Sequence, residues 1–127
     1  MKRFSEDHQW VQIDQDMAVI GITAYAAEEL GEITFVEVPD VGAVFGPGDT
    51  LCVVESSKAA ADLFVPIGGT VKEVNAALEK QPALINASPE GDGWICKLED
   101  VDSSELDALM TEEQYERFVE ADGDDGA

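Results

Sequence analysis

The sequence predicts a mainly β protein, a flattened β-sandwich or partly closed barrel with one short internal helix and helices at its C-terminal end. Apolar runs of roughly four to eight residues recur along the chain, separated by turns rich in Gly, Pro and Asp. With 127 residues, of which 45% are hydrophobic, the chain is long and apolar enough for one domain with its own core. Helical patterns are confined to a short segment after Thr23 and to residues 103–120.

The N-terminal half contains strand patterns on either side of the short helix. Thr23 is a suitable N-cap for the helix AYAAEEL (24–30), and Gly31 is a suitable C-terminal stop. Segment 39–49 is dense in Gly, Pro and Asp, which predicts turns around one short strand. The strands predicted in this half are residues 10–13, 17–23 and 33–38.

The second half begins with two short apolar runs on either side of a linker of small residues. This arrangement predicts a β-hairpin with Lys58 at or near its tip. Residues 70–75 alternate apolar and polar side chains, which is typical of a half-buried strand. The strands predicted in this half are residues 51–54, 62–65, 70–75 and 93–98.

Two capping-box patterns indicate the C-terminal helices of residues 103–120. The first is Asp102–Glu105 and the second is Thr111–Gln114. The second helix would present one apolar face to the sandwich, formed by Tyr115, Phe118 and Val119. We therefore expect a single domain over residues 1–121 and a flexible acidic tail over residues 122–127.

The acidic balance excludes some classes of partner. The formal net charge is −21, from 28 acidic and seven basic residues. Nucleic-acid binding needs basic patches that neutralise phosphates, and docking on an anionic membrane likewise needs a positively charged protein surface. No apolar run approaches the roughly 20 residues that span a bilayer, and MKRFSEDHQW lacks the apolar segment of a secretory signal. The expected location is the cytoplasm.

The same acidity leads to a hypothesis of adaptation to high salt. At low ionic strength the surface charges repel one another and oppose compaction, whereas at about 1 M salt the screening length falls to roughly 3 Å. We therefore expect folding and stability to increase with added salt. Far-UV circular dichroism across a salt series tests this, and full folding with ordinary stability in dilute buffer would contradict it.

The cysteines and the histidine do not form a recognisable metal or catalytic pattern. Cys52 and Cys96 lie in apolar runs without metal-ligand spacing, so we expect small buried hydrophobic residues. His8 is the only histidine, so the enzymatic alternative is a Cys52/His8 thiol hydrolase, although nothing in the sequence orients these two residues together. We expect no catalytic residues and no metal. Three aromatic residues are expected in the core: Trp10, Phe35 and Trp94.

Lys58 has three interpretations from the residues alone. It is a turn lysine paired with Glu55 or Asp62, a catalytic lysine, or a site of covalent modification. Two nearby carboxylates favour the charged amine, which argues against catalysis by a neutral lysine. Small neighbours would leave the amine accessible to a modifying enzyme, but many turns share that property.

Motifs in collinear order show that the chain resembles the glycine cleavage system H protein family, within the lipoyl and biotinyl type of domain. VVESSKAAAD (53–62) is similar to the family's V-E-S-x-K-A-x-x-D around its lipoylated lysine. The resemblance extends over nearly the whole chain. The other matching segments are His8-Gln9-Trp10, Gly21-Ile22-Thr23, Tyr25-Ala26, Leu30-Gly31-Glu32-Ile33, Phe35-Val36-Glu37-Val38-Pro39, Pro66 with Gly69, Val71 and Asn75, Pro82 with Leu84-Ile85-Asn86, Ser88-Pro89 and Gly93-Trp94.

The resemblance implies a lipoyl-domain-like fold and a non-enzymatic, monomeric carrier in one-carbon metabolism and glycine catabolism. It implies lipoate in amide linkage to Lys58, attached by a lipoylating enzyme. The arm would take an aminomethyl group from glycine decarboxylase to the aminomethyltransferase and then pass electrons to dihydrolipoamide dehydrogenase. Glu55 and Asp62 would contact the lipoylating enzyme or the loaded amine, the alternative being solvated turn acids. His8 would line the cleft that shelters the arm, the alternative being a structural contact at the N-terminus, and Gln9 would lie in that cleft where the loaded amine is held.

Two departures from the family pattern concern that shelter. Gln9 replaces the glutamate of H-E-W, which removes a negative charge near the arm unless Asp7 or Asp62 compensates. Glu90 replaces the tyrosine of S-P-Y-G. The alternatives are a lipoate-relay carrier, or a lipoyl or biotinyl domain of another multienzyme complex. Biotinyl domains usually show M-K-M and 2-oxo-acid dehydrogenase domains D-K-A, neither of which occurs around Lys58.

Overall fold

The computed structural model describes residues 2–125, and two antiparallel β-sheets dominate this part of the chain. The strands are β1 (Lys2–Phe4), β2 (Gln9–Asp14), β3 (Met17–Ile22), β4 (Ile33–Glu37), β5 (Val44–Phe45), β6 (Thr50–Ser56), β7 (Ala60–Phe64), β8 (Gly69–Val74) and β9 (Cys96–Glu99). The helices are α1 (Ala24–Leu30), α2 (Ala77–Lys80), α3 (Leu84–Ala87), a 3-10 helix (Ser103–Ala108) and α4 (Glu112–Asp125).

The two sheets form a flattened sandwich, as predicted, and do not close into a barrel. The larger sheet has the strand order β1-β2-β3-β9-β8-β5 and the smaller has β4-β6-β7. One apolar core is shared by residues of both sheets, including Ile20 and Leu98 of the larger sheet and Val36 and Val54 of the smaller. All four are at most 1% exposed. The hairpin that carries Lys58 therefore belongs to a sheet anchored by its inner face.

A second apolar cluster packs α4 against the edge of the larger sheet. Phe4, Trp10 and Tyr115 are buried there, and the Phe4 and Tyr115 rings stack at 4.7 Å. Phe118 and Val119 pack against the same cluster, which confirms the predicted apolar face of the last helix. Trp10 is core, as expected.

The predicted capping residues are confirmed for α1 and α4. Thr23 Oγ1 accepts the N–H of Ala26 at 3.2 Å, and Gly31 ends α1 with φ of 80°. Thr111 and Gln114 form a reciprocal capping box, because Gln114 N donates to Thr111 Oγ1 and Thr111 N donates to Gln114 Oε1. α4 then extends through Asp125, beyond the predicted end at residue 120, and residues 126 and 127 of the predicted tail lie outside the described residues.

The predicted capping box at Asp102 is wrong in its second half. Asp102 accepts the N–H of Ser104 at 3.0 Å, as an N-cap should. Glu105 does not reach back to Asp102; its side chain accepts the N–H of Gly68 at 2.9 Å. The Glu105 carboxylate thus bonds a backbone N–H from a distant part of the chain instead of the end of its own helix. Residues Ser103–Ala108 form a 3-10 helix.

Several short elements were not predicted from the sequence. β1 occupies the charged start of the chain, and α2 and α3 are single turns in the segment that contains Pro82 and Pro89. The last predicted strand, 93–98, is shorter and later, since β9 spans Cys96–Glu99. These elements are too short for a sequence period to identify them.

Phe35 is not in the core, contrary to expectation. In a regular strand Ile33 and Phe35 would face the same side. β4 contains a bulge between them, which keeps both Ile33 and Val36 on the core side, at 2% and 1% exposure. Phe35 is turned outward and is 49% exposed.

The two cysteines are free and buried, as predicted. Burial raises the pKa of each thiol to about 12, with a smaller contribution from Glu37 for Cys52 and from Cys52 for Cys96. Both are therefore neutral thiols near pH 7, which does not suit a nucleophile. Over residues 2–125, no helix has the length and apolar character needed to cross a membrane.

Candidate functional site

Lys58 lies at the tip of the β6–β7 hairpin, as predicted. Ser56 closes the turn: its N–H donates to Ala59 O at 2.8 Å, and its Oγ accepts the N–H groups of Lys58 and Ala59 at 3.1 Å each. Residues 57–60 are all exposed. The backbone of Lys58 is thus held in place at a narrow tip while the residue remains exposed.

Lys58 makes no ion pair with any carboxylate of residues 2–125. The predicted turn pairing with Glu55 or Asp62 is therefore absent. The aliphatic part of the side chain lies over Gly31, where an added Cβ would be 3.2 Å from Lys58 Cε. Gly31 has φ of 80°, so a side chain there would be strained as well as crowded. The glycine both ends α1 and leaves room for the lysine.

The loop under Lys58 is held by a contact that the sequence did not reveal. Asn86 at the end of α3 donates from Nδ2 to Gly31 O at 2.8 Å and accepts the N–H of Ile33 at 2.9 Å. Glu32 O, between them, accepts the N–H of Ser57 at 3.0 Å. One amide side chain therefore fixes the segment against which the hairpin tip rests. The match at Leu84-Ile85-Asn86 was the only signal for this residue.

Glu55 and Asp62 lie on the outer face of the hairpin. Glu55 pairs with Ala60, and Val53 pairs with Asp62. Paired residues on adjacent antiparallel strands share a face, and so do residues two apart on one strand. Both carboxylates are exposed and lie on the side opposite the core, close in sequence to Lys58. The structure thus brings three of the predicted site residues onto one hairpin.

His8 lies in an aromatic cluster at the other end of α1. Its Nδ1 is 2.8 Å from Tyr115 Oη, which is 2.7 Å from Thr23 Oγ1, and its ring packs on Tyr25 at 4.7 Å. Desolvation raises the pKa of the Tyr115 phenol, so the phenol is neutral and able to donate a hydrogen bond near pH 7. Tyr25 and Gly31 are six residues apart, about 9 Å along the helix. His8 and Lys58 thus contact residues at opposite ends of α1.

Gln9 is 1% exposed and links the two sheets. In the orientation that satisfies both of its amide groups, Nε2 donates to Phe64 O at 2.7 Å and Oε1 accepts Phe64 N at 3.2 Å. Phe64 ends β7, two residues after Asp62. Gln9 therefore contacts the hairpin strand through its backbone and presents no polar group to solvent.

The Gln9→Glu variant is expected to be less stable than the wild type by about 1–3 kcal/mol at pH 7. One carboxylate oxygen would face Phe64 O, which is also an acceptor, so the pKa of the new carboxyl would be raised in the folded state. Both states are protonated below the unfolded pKa of about 4.3, so the deficit should be small there and grow as pH rises.

Urea unfolding of the two proteins across pH 4 to 8 measures this, with exposed Gln12→Glu on the same strand as the matched control. A deficit that does not change with pH, or one equal to that of Gln12→Glu, would show that the amide does not bridge Phe64 in this way.

Glu90, the second departure, has a local structural role. Its Oε1 pairs with Lys2 Nζ at 3.2 Å, and its Oε2 accepts the N–H of Ala24, the first residue of α1, at 3.2 Å. The carboxylate thus satisfies a free donor of the helix and holds β1 nearby. No group of three or more His, Cys, Asp and Glu side chains in the described part of the chain is arranged to hold a metal ion.

Comparisons with known proteins agree on one family. The family model described as "Glycine cleavage H-protein" matches residues 2–122. The chain is 51% identical over 117 residues to a "Glycine cleavage system H protein" of Phenylobacterium zucineum, covering 92% of this chain and 97% of that protein. It is 42% identical over 118 residues to the protein of that name from Thermotoga maritima, covering 93% and 95%. A crystal structure of a glycine cleavage system H protein from Mycobacterium marinum superposes with a TM-score of 0.81 at 31% identity, covering 96% of each chain.

Proposed function

Because the chain belongs to the glycine cleavage H-protein family, we propose that it is the lipoyl carrier of a glycine cleavage system, with lipoate in amide linkage to Lys58. The carrier takes an aminomethyl group from glycine decarboxylase to the aminomethyltransferase and then passes electrons to dihydrolipoamide dehydrogenase. The observation that carries this proposal is an exposed, unpaired lysine at the tip of a backbone-fixed hairpin, within residues 2–125.

The residues around Lys58 suit an amide-linked arm. Small side chains at Ser57, Ala59 and Ala60 leave the tip narrow, and the free amine can enter the active site of a lipoylating enzyme. Loss of the lysine charge on acylation leaves no carboxylate partner unpaired, since the amine has none among the described residues. When bound, lipoate supplies a disulfide that accepts a one-carbon amine unit and two electrons.

Glu55 and Asp62 are proposed as contacts for the lipoylating enzyme and for the loaded amine. They are exposed, share the outer face of the hairpin and stand on either side of Lys58 in the chain. His8 and Gln9 are proposed as residues that support the sheltering cleft from beneath. His8 packs on Tyr25 of α1 and Gln9 bonds the backbone of Phe64, which supports a role for both in holding elements that would border the proposed arm.

We further propose that the protein performs no catalysis itself and works as a cytoplasmic monomer, in one domain spanning residues 1–121. The enzymes it visits do the chemistry, while the tethered arm raises the local concentration of the carried group at each active site. The buried neutral thiols of Cys52 and Cys96 support a non-catalytic role, since neither suits a nucleophile. With a net charge of −21, nucleic acid and anionic membranes are not proposed as partners.

Reconstitution with the partner enzymes tests the proposal. Glycine-dependent release of carbon dioxide and formation of methylene-tetrahydrofolate should require the lipoylated protein, and the unmodified protein should give only background rates. The proposal would be contradicted if the lipoylated protein supported no glycine turnover but donated its lipoyl group to other carriers. That result would instead identify a lipoate-relay carrier.

A further inference from the structure

We propose that an outward-facing surface beside Lys58, the Phe35 face (Phe35, Glu37, Val53, Glu55 and Asp62), is a docking surface for an enzyme that acts on the arm. The matching partner surface is an apolar pocket bordered by lysine or arginine at the mouth of the enzyme's active-site channel. This inference rests on the proposed carrier function and adds the surface through which the carrier is held during a reaction.

The exposure of Phe35 is produced by a specific feature of the backbone. The bulge in β4 between Ile33 and Phe35 reverses the alternation of the strand, so that Val36 takes the inward position. Without the bulge, Phe35 would face the core. The chain thus leaves a large aromatic side chain 49% exposed on a sheet with a well-packed inner face. An exposed aromatic ring of this kind is typical of the centre of a protein–protein contact.

The register places this ring next to the arm. Phe35 pairs with Glu55, and Glu37 pairs with Val53, which in turn pairs with Asp62. All five residues of the Phe35 face therefore lie on the outer side of the small sheet. Glu55 is three residues before Lys58, so the two Cα atoms are at most about 10 Å apart even for an extended chain. A protein docked on Phe35 would hold its active site within reach of the lysine.

The charges of the Phe35 face determine the kind of partner. Three carboxylates share the outer face with the ring: Glu55 is paired with Phe35, Glu37 is two residues along β4, and Asp62 lies two strands away on β7. No ion pair within residues 2–125 neutralises any of them. A second copy of this acidic chain would bring like charges together, whereas a basic rim on an enzyme complements them and accelerates encounter. The other large apolar side chains that are exposed in the described part of the chain, Val41 and Val44, lie in or beside β5 at the edge of the larger sheet.

Steady-state kinetics of lipoylated Phe35→Ser against wild type tests the proposal. The enzymes assayed are glycine decarboxylase, the aminomethyltransferase and dihydrolipoamide dehydrogenase. For at least one of these three, the KM for the carrier should rise about tenfold or more while kcat is little changed. Val44→Ser, which truncates a 76% exposed valine on β5, is the matched control and should leave every KM unchanged. Glu37→Gln should lower the dependence of that kcat/KM on salt.

Two results would overturn the docking surface. One is a Phe35→Ser carrier whose KM equals that of wild type and Val44→Ser for all three enzymes. The other is sedimentation showing that wild type dimerises and Phe35→Ser does not, because the face would then belong to a second copy. Intact mass and wild-type turnover are measured first: an unlipoylated or inactive wild type contradicts the carrier function itself, whereas an active wild type with an unaffected variant contradicts only the docking surface.

Discussion

Replacement of Lys58 by arginine is expected to reduce lipoylation and glycine-dependent turnover to background while leaving the fold intact. The guanidinium stays protonated at all ordinary pH values and offers no nucleophilic amine for acylation. The change keeps the charge and the approximate length of the side chain. Since Lys58 is exposed and has no ion-pair partner among the described residues, its loss should change the free energy of unfolding by less than about 0.5 kcal/mol.

Lys72→Arg is the matched control for that experiment. Lys72 is an exposed lysine on β8 whose Nζ lies 3.8 Å from Glu99. Both variants are incubated with a lipoylating enzyme, and lipoyl content by intact mass, carbon dioxide release and urea unfolding are compared. Full turnover by Lys58→Arg, or equal loss in the two variants, would show that the functional amine lies elsewhere.

The Val54→Asn variant is expected to lose about 3–6 kcal/mol of stability, which is enough to unfold many domains of this size. Val54 is in β6, is 0% exposed and pairs with Val36 and Ala61 in the middle of the small sheet. The substitution removes apolar burial and places an amide in the apolar core. Because β6 leads directly to the hairpin tip, we also expect Lys58 to become a poor substrate for lipoylation.

Val53→Asn separates this effect from a general intolerance of β6. Val53 is the neighbouring residue and faces the outer side with Asp62, so its replacement should cost about 1 kcal/mol or less. Urea midpoints and slopes for the two variants give the comparison. Similar losses at the two positions would contradict the register of the hairpin and the inward orientation of Val54.

Local signals in the sequence predicted the elements that local interactions form. Thr23 and Gly31 bound α1 because a hydroxyl cap and a positive φ are properties of single residues. The reciprocal contacts of Thr111 and Gln114 are likewise within one helical turn. The hairpin around Lys58 followed from two apolar runs and a linker of small residues, and the structure places the lysine at its tip.

Features that depend on distant residues were missed or predicted wrongly. Glu105 bonds Gly68, a backbone donor in another part of the chain, in preference to its own helix end. The outward orientation of Phe35 depends on a bulge, and one extra residue in a strand reverses a pattern of period two without a sign in composition. Asn86 supports the loop under Lys58 from a helix of four residues, too short to be predicted from periodicity.

The structure also changes the interpretation of the two departures from the family pattern. Glu90 accepts a hydrogen bond from the N-terminus of α1 and forms an ion pair with Lys2. The Gln9 amide donates to the backbone carbonyl of Phe64 and accepts from its N–H. A glutamate at position 9 could accept from Phe64 N but would need a proton to donate to Phe64 O. The proposed shelter of the lipoyl arm should therefore depend on the packing of His8, Tyr25 and β7 as well as on the charge at position 9.

Mass spectrometry of the protein purified from its native host tests the central claim most directly. Intact mass followed by peptide mapping should show one lipoyl group per chain, located on Lys58 in the peptide that contains VVESSKAAAD. Fully unmodified Lys58, or a biotinyl group at that position, would contradict the assignment of this protein as a lipoyl carrier.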